Sequence, residues 1–262
     1  MTDLAGVVLA AGRGSRLSPL TDRTPKPLLT VANRVMLQAA LDRVGALTDS
    51  IAVNAHHLAE QIAQAAPRLR PGVHVSIERE RLLGTAGALW NLRDWIDGRP
   101  VLVANSDTWL SRSIEALLDG WDGTRPRLLV KDMGRPADFG SYRFVGASLV
   151  PATTARRLGA EPDGLYAAVW KAAHAAGELE FVPIDGDAFD CGTPAEFITA
   201  NLRAAGTSSV IAPDARVDGD VDRCVLLSGA VVAAGESLVG AIRDRYGNTM
   251  FADPAALLAT GS

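Results

Sequence analysis

The sequence has few cysteines, no long apolar run and no large excess of charge of either sign. Its two cysteines, Cys191 and Cys224, are far apart and not in a metal-binding spacing, which fits free thiols in a reducing compartment. No stretch approaches the roughly 18 apolar residues that a membrane helix needs. The net charge of −4 gives no reason to expect a polyanionic partner. We therefore expect a cytoplasmic protein with no membrane or nucleic-acid partner.

The 262 residues are 48% apolar, so the chain can bury a substantial core. Its first half alternates short apolar runs with segments of helical spacing. Predicted strands are 6–11, 50–55, 73–78, 101–107 and 127–132, and predicted helices are 35–47, 57–66, 88–96 and 113–120. We expect Pro67 to stop the second of these helices. The alternation predicts an α/β fold with a Rossmann-like, mostly parallel sheet and helices on both faces.

The order loosens after residue 138. Residues 141–150 are predicted as one or two strands, 179–185 as a strand and 164–179 as a helix. A further helix is predicted over 193–205 because Thr193 can act as its N-cap, Pro194 as its first residue and Glu196 as the capping-box partner.

After residue 205 the helical spacing disappears. Apolar residues return about every six positions, with Gly, Asp and Pro between them, at Ile211, Val217, Val225, Val231 and Leu238. This spacing indicates about two coils of a left-handed β-helix. We therefore predict two domains, residues 1–205 and a short β-helix-like segment over 206–262. Two coils are rarely stable on their own. We therefore expect the segment to pack on the main domain or on another subunit, as in a homodimer.

The stretch VVLAAGRGSRLSPLTDRTPKPLL (7–29) leads from a buried strand into a loop rich in glycine and cations. Its glycines allow backbone N–H groups to approach a phosphate closely. Arg16 and Lys26 add positive charge, and two prolines stiffen the backbone around the lysine. The loop fits neither the Walker A pattern nor the full dinucleotide fingerprint. It predicts an anion site, and the alternative is a solvated basic loop.

This stretch resembles the signature of the sugar-1-phosphate nucleotidylyltransferases, L-A-A-G-x-G-x-R-L-x-P-L-T followed by P-K-P. The likeness continues through VNAHHLAEQI, LLGTAGAL, VLVANSD and FDCGTPAEFITAN, and so covers about residues 4–205. Within the family, GTAGAL is most similar to the mannose-1-phosphate guanylyltransferases. The compact length is closer to the short enzymes of cell-wall sugar metabolism, such as N-acetylmuramate-1-phosphate uridylyltransferase.

The resemblance implies that a nucleoside triphosphate and a sugar 1-phosphate give a nucleotide-sugar and pyrophosphate. It implies that Arg16 holds the departing phosphates and that Lys26 neutralises charge at the reacting centre. The nucleotide-binding residues that it implies are Ala10, Ala11, Gly12, Gly14, Asn54, Gly84, Thr85 and Ala86. For Thr85 the alternative is an ordinary helix cap.

The resemblance also implies a Mg²⁺ cofactor held by Asp107 and Asp190. Mg²⁺ takes one or two carboxylates together with phosphate oxygens and water. Asp107 ends a predicted strand, at the edge where open parallel sheets bind ligands. The alternative for each aspartate is a turn residue. Ser106 stands where the family usually has glycine.

The acceptor is the least determined part of the sequence. Many family members carry a glutamate–lysine–proline stretch whose lysine binds the sugar phosphate, and none occurs here. Asp138 and Arg143 are the candidates for binding the acceptor, and Lys131 is a further substitute for the lysine. We expect GTP with a mannose-like hexose 1-phosphate. The alternatives are UTP with an amino-sugar 1-phosphate, a non-sugar acceptor such as phosphocholine or a cyclitol phosphate, and a non-catalytic regulatory subunit that binds nucleotide-sugar.

Overall fold

In a computed structural model, residues 3–161 and 163–259 of the chain are described. The chain forms two compact units, each built from several separate segments of the sequence. The first contains the chain up to Gly12 with Leu37–Ser106 and Arg112–Asp187, and the second contains Arg13–Met36, Asp107–Ser111 and everything from Ala188 onward. The predicted domains 1–205 and 206–262 run along the chain instead, and that boundary stays a prediction.

Strands are numbered in chain order. Up to residue 189 they are β1 (Ala5–Leu9), β2 (Thr30–Val31), β3 (Arg34–Val35), β4 (Ile51–Ala55), β5 (His74–Ile77), β6 (Val101–Asn105), β7 (Trp109–Leu110), β8 (Arg127–Asp132), β9 (Tyr142–Val150), β10 (Glu180–Pro183) and β11 (Ala188–Phe189). Later strands are β12 (Val210–Ile211), β13 (Arg216–Val217), β14 (Asp220–Asp222), β15 (Val225–Leu226), β16 (Val231–Val232), β17 (Ser237–Val239), β18 (Ala241–Arg243) and β19 (Thr249–Phe251).

The α-helices are numbered in the same way. They are α1 (Met36–Gly45), α2 (Ala59–Leu69), α3 (Gly84–Asn91), α4 (Arg93–Ile96), α5 (Ala152–Ala155), α6 (Lys171–Ala175), α7 (Pro194–Ala205) and α8 (Pro254–Ala259). In the part of the chain that the structure describes, no helix is both long and apolar enough to cross a bilayer.

The first unit contains a seven-stranded sheet in the order β10-β8-β9-β6-β1-β4-β5. Strands β1, β4, β5 and β6 pair in parallel, as do β8 and β10. Strand β9 runs antiparallel to both of its neighbours. The predicted mostly parallel α/β sheet is therefore confirmed, with β9 as its one reversed strand among the described residues.

Helices cover both faces of this sheet, as the alternation along β1 shows. Ala5 and Val7 lie in an apolar cluster with Leu89 of α3. Gly6 points the other way, and a β-carbon there would lie 2.4 Å from Val44 Cγ1 of α1. Since successive residues of a strand face opposite sides, α1 and α3 pack on opposite faces. Gly6 allows the close approach of α1.

Several helices differ from their predicted bounds. Helix α2 continues through Pro67 to Leu69. The proline stands in the last turn, where its fixed φ suits a helix and its missing N–H removes only one backbone hydrogen bond. The helix predicted over 88–96 starts earlier, at Gly84, and breaks at Leu92 into α3 and α4. Residues 113–120 form one 3₁₀ turn over Glu115–Leu118. The helix predicted over 164–179 is shorter, a π-helical turn at Tyr166–Trp170 followed by α6.

The second unit combines short hairpins with stacked short strands. The hairpin β2–β3 and the antiparallel pair β7–β11 belong to it. Strands β12, β15 and β18 stack in parallel on one side, β13 with β16 on another and β14 with β17 on a third. This repeat matches the two predicted β-helix-like coils, and antiparallel β19 covers the last strand.

Helix α7 begins as predicted. The Thr193 hydroxyl accepts from the Glu196 N–H, and the Glu196 carboxylate accepts from the Thr193 N–H at 3.1 Å. Pro194 is its first residue and Gly206, at φ 66°, ends it. The predicted capping box is therefore confirmed, and it fixes the point where the chain leaves the segment 188–192.

Candidate active site

The antiparallel pair β7–β11 brings two distant acidic residues together in the second unit. Trp109 is in register with Phe189, and their rings stack with centroids 6.0 Å apart. One position further along the pair, Thr108 Oγ1 donates to Asp190 Oδ1 at 3.1 Å. Asp107 is the next residue, so the pairing carries both carboxyl-bearing residues to one end of the two strands.

The Lys26 ammonium joins these two aspartates. Its Nζ donates to Asp107 Oδ2 at 2.6 Å and to the backbone carbonyl of Asp190 at 3.1 Å. The lysine side chain is only 8% exposed, whereas that of Asp107 is 35% exposed. The lysine stands between Pro25 and Pro27 and is the first residue of a 3₁₀ turn. The two prolines limit the backbone movement around it. The structure thus unites three of the residues that the sequence nominated.

Each of the two candidate cationic side chains, Arg16 and Lys26, packs closely against a glycine. Gly14 has φ 66°, and a β-carbon there would lie 3.0 Å from the Lys26 β-carbon. A β-carbon on Gly192 would lie 2.6 Å from a terminal nitrogen of Arg16. The exposed Arg16 therefore lies directly over the backbone that follows Asp190. Sequence reading nominated Gly14 for phosphate contact, and the structure adds that it packs against the lysine stem.

Cys191 lies between Asp190 and Gly192 and is fully buried. Burial raises the pKa of its thiol to about 12, although the nearby Lys26 acts in the opposite direction. A thiol with so high a pKa is a poor nucleophile at neutral pH. Cys191 is therefore a packing residue of an apolar cluster and not a nucleophile.

In the first unit, Asn54 holds the turn that follows β1. Its Oδ1 accepts from the Ala10 N–H at 2.8 Å, and its Nδ2 donates to Glu78 Oε1 at 2.7 Å. Glu78 Oε2 in turn accepts from the Leu83 N–H at 2.9 Å. Sequence reading missed Glu78 because it begins the charged run ERER, which is typical of an exposed segment. Its position directly after a strand was the available signal.

The Gly84–Ala86 turn is fixed by the segment around Asp163. The Asp163 carbonyl accepts from the Ala86 N–H at 3.0 Å, and Thr85 Oγ1 accepts from the Leu165 N–H at 2.7 Å. Gly84 has φ 72°, and a β-carbon there would lie 2.4 Å from the Asp163 carbonyl oxygen. Thr85 lies inside the first turn of α3 and Leu83 precedes it as N-cap, so the helix-cap alternative for Thr85 is wrong.

Two further residues of the first loop differ in exposure: Ala11 is buried and Gly12 is exposed. The Ala11 carbonyl accepts from the His57 N–H at 3.4 Å. Gly12 is exposed, and a β-carbon there would meet no described atom within 4 Å. Ser106, at the position where the family usually has glycine, is buried and donates its N–H and hydroxyl to the Leu9 carbonyl, at 3.1 and 2.6 Å. It therefore ties the end of β6 to β1.

The two acceptor candidates lie on the β8–β9 side of the first unit. Asp138 is exposed and its Oδ2 accepts from the Phe144 N–H at 3.0 Å. Arg143 is half-buried in β9, in register with Lys131 of β8. Lys131 Nζ donates to the Gly186 carbonyl at 2.8 Å. Their binding to an acceptor stays a prediction.

Comparison with known proteins shows which chains this one is similar to. Residues 5–146 match the family described as nucleotidyl transferase. The N-acetylmuramate alpha-1-phosphate uridylyltransferase of Caulobacter vibrioides is 35% identical over 129 residues, 45% of this chain and 53% of that protein. The mannose-1-phosphate guanylyltransferase catalytic subunit beta of Dictyostelium discoideum is 27% identical over 75% of this chain and 63% of its own length. The chain thus spans between a half and two thirds of these curated relatives.

The solved structures support the fold. The crystal structure of mannose-1-phosphate geranyltransferase from Thermus thermophilus covers 99% of this chain and 97% of its own, with a TM-score of 0.72 and 17% identity. At that identity the likeness concerns the fold alone. It extends over the β-helix-like segment as well as the sheet.

Proposed function

The chain belongs to the nucleotidyl transferase family, and from that premise we propose that it transfers a nucleotidyl group from a nucleoside triphosphate to a sugar 1-phosphate. The observation that carries the proposal is the double contact of Lys26 Nζ with the Asp107 carboxylate and the Asp190 carbonyl. These three residues are distant in sequence, and each belongs to a separate stretch of the family signature. A solvated basic loop would not bury its lysine against two acidic residues.

The reaction is an in-line displacement at the α-phosphorus. An oxygen of the sugar phosphate forms a new bond to that phosphorus, the bond to the bridging oxygen breaks, and pyrophosphate leaves with the electron pair. No covalent enzyme intermediate is needed, so the protein acts by positioning and by neutralising charge. Lys26 is aimed at the reacting centre by its two acidic neighbours. Arg16, held over Gly192, binds the departing phosphates with a guanidinium that can grip two oxygens.

Asp107 and Asp190 would hold a Mg²⁺ ion. The donor set fits this ion, because Mg²⁺ takes one or two carboxylates and completes its shell with phosphate and water. Among the described residues no group of three or more His, Cys, Asp or Glu side chains could hold a metal, so this proposal rests on the two aspartates alone. When bound, Mg²⁺ would neutralise charge on the phosphates. The Thr108 hydroxyl orients the Asp190 carboxylate for this role.

In this proposal the nucleotide is bound mainly by backbone groups of two turns. Ala10, Ala11, Gly12 and Gly14 would contact the phosphates, and the Gly84–Ala86 turn would contact the base. Asn54 acts through the Ala10 N–H that it holds. A turn locked at both ends discriminates between bases well, because a wrong base leaves polar groups unpaired. Asp138 and Arg143 would contact the acceptor.

We propose GTP with a mannose-like hexose 1-phosphate as the substrate pair. The guanylyltransferase relative supports this choice because it aligns with three quarters of the chain. A second candidate is UTP with an amino-sugar 1-phosphate, supported by the uridylyltransferase relative at 35% identity. The predictions of a cytoplasmic location and a homodimer stand beside these proposals.

The test is pyrophosphate release from a matrix of nucleoside triphosphates and phosphate acceptors, with and without Mg²⁺. The acceptors are hexose, amino-sugar and cyclitol 1-phosphates and phosphocholine. We expect release only when triphosphate, sugar 1-phosphate and Mg²⁺ are all present, with the fastest release from GTP and mannose 1-phosphate. Release with phosphocholine or a cyclitol phosphate alone would move the acceptor outside the sugars. Saturable nucleotide-sugar binding without release from any pair would replace the enzyme with a regulatory subunit.

A further inference from the structure

A buried chain of hydrogen bonds joins the turn after β1 to the N-terminal turn of α3, which begins at its N-cap Leu83. The Ala10 N–H donates to Asn54, Asn54 donates to Glu78, and the Leu83 N–H donates to the other oxygen of Glu78, at 2.8, 2.7 and 2.9 Å. Asn54 is 3% exposed and Glu78 is 4% exposed. All four residues belong to the first unit. A short polar relay therefore connects two loops that are more than seventy residues apart in sequence.

The relay requires acceptors at its centre. Both of its ends are backbone N–H donors, and Asn54 uses its oxygen for one end, so its amide nitrogen must face an acceptor. A carboxylate offers acceptors only, and Glu78 uses one oxygen for the amide and the other for the Leu83 N–H. Burying a carboxylate is costly unless its oxygens are hydrogen-bonded. The Glu78 backbone is also tied down, by its N–H to the Ala55 carbonyl and by its carbonyl to His56 Nδ1.

We infer that Glu78 is a positioning residue for nucleotide binding. Through Asn54 and Leu83 it sets the distance and orientation between the Ala10–Gly12 turn and the Leu83–Ala86 turn. This inference rests on the proposed function, in which those turns hold the phosphates and the base. Because both of its oxygens have internal partners, Glu78 acts through the turns and not by touching the substrate.

The variant Glu78→Gln tests the polarity of the relay. A glutamine has one acceptor and one donor group, so it satisfies either Asn54 or Leu83 but sets a donor against a donor at the other. If the Asn54 amide flips to accept from the glutamine, its own nitrogen then faces the Ala10 N–H. In each arrangement one of the three hydrogen bonds of the relay is replaced by two facing donors, so the connection between the two turns is broken. The change keeps the size of the side chain.

The reciprocal double variant Asn54→Asp with Glu78→Gln restores every bond. The aspartate accepts from the Ala10 N–H with one oxygen and from the glutamine nitrogen with the other, and the glutamine oxygen accepts from the Leu83 N–H. The single variant Asn54→Asp sets two carboxylates against each other and is expected to be as damaging as Glu78→Gln. Glu80→Gln is the matched control, because Glu80 is exposed and only two positions away.

Two readouts decide the inference. The first is the KM for the nucleoside triphosphate, which we expect to rise about tenfold in Glu78→Gln, the effect of one lost hydrogen bond. In the double variant it returns to within about threefold of the original value, and Glu80→Gln leaves it unchanged. The second is amide hydrogen exchange at Ala10 and Leu83, measured by NMR without any substrate. Because the broken relay no longer ties the two turns together, we expect exchange at one or both of these amides to accelerate at least tenfold in Glu78→Gln and to recover in the double variant.

The exchange measurement separates the two hypotheses. If the original protein releases no pyrophosphate from any pair, the proposed function fails, and exchange still decides whether the relay holds the turns. Unchanged exchange and KM in Glu78→Gln would overturn the inference. If Glu78→Gln does not fold, the double variant decides: a folded double variant with protected amides supports the relay. An unfolded one shows that charge at position 78 is needed for another reason and overturns it.

Discussion

Lys26 and Asp107 form an ion pair of 2.6 Å, although 81 positions separate them in the chain. The lysine side chain is buried and the Asp107 side chain is partly exposed. The aspartate carboxylate therefore lies between a buried ammonium and solvent. The same ammonium reaches the Asp190 carbonyl. One buried side chain thus contacts the carboxylate of Asp107 and the backbone of Asp190.

Removing the lysine ammonium is expected to abolish most turnover. We expect Lys26→Ala to lower kcat for pyrophosphate release by about 10²–10³, the usual loss for one preorganised charged group. Lys26→Arg should recover little, because a planar guanidinium does not fit a site shaped for an ammonium beside Gly14. Lys171→Ala, exposed on α6, is the control and should keep full activity. A Lys26→Ala protein with more than a tenth of the original kcat would contradict the assigned role.

Gly192 is expected to be needed for activity more than for stability. In Gly192→Ala the new β-carbon displaces the Arg16 guanidinium, which lies 2.6 Å from its position. Because the far end of an arginine moves easily, we expect a change of less than about 1 kcal/mol in the free energy of unfolding. We expect kcat to fall at least tenfold. Gly159→Ala, which meets no described atom within 4 Å, is the control for adding a methyl group.

Gly84 is expected to be needed for the fold of its turn. Gly72→Ala carries only the strain of a positive φ of 83°, for which we expect about 1 kcal/mol of destabilisation. Gly84→Ala adds a contact of 2.4 Å with the Asp163 carbonyl, and we expect about 3 kcal/mol in total. Chemical denaturation of both variants measures the difference. Equal losses in the two variants would show that the Asp163 segment yields without cost.

The buried Cys191 thiol is expected to make stability fall at alkaline pH. Burial raises the pKa of this thiol to about 12 from 9.0. Above pH 9 the unfolded chain loses the proton first, so stability that is fully present below pH 9 is lost as the pH rises towards 12. The contribution has a slope of about 1.4 kcal/mol per pH unit in that window. Denaturation at pH 8.5–10.5 should give a shallower slope for Cys191→Ala than for the original chain. Equal slopes would contradict the prediction.

The sequence predicted the parts of the fold that depend on local pattern. The strands of the sheet and the Thr193–Glu196 capping box follow from periodicity and from residue types at fixed offsets. Helix bounds were less predictable. Pro67 was expected to stop a helix, but α2 contains it in its last turn and continues to Leu69. The break at Leu92 and the π-helical turn before α6 depend on packing that no short window contains.

The site was predicted only where the family signature names it. Lys26, Asp107 and Asp190 were nominated one by one, and their mutual contacts required the structure. Glu78 was missed because it begins a charged run, and its burial and its hydrogen bonds to Asn54 and Leu83 are visible only in three dimensions. The seats that Gly14 and Gly192 form for Lys26 and Arg16 were likewise visible only in three dimensions.

The measurement that tests the central claim most directly is pyrophosphate release by Asp107→Asn, Asp190→Asn and the double variant, with Asp94→Asn, exposed on α4, as the control. If the two carboxylates act as one unit around Lys26, each single variant lowers kcat at least about 10²-fold and the double variant is no worse than the poorer single. Full activity in either single variant, or losses that multiply in the double variant, would contradict the account.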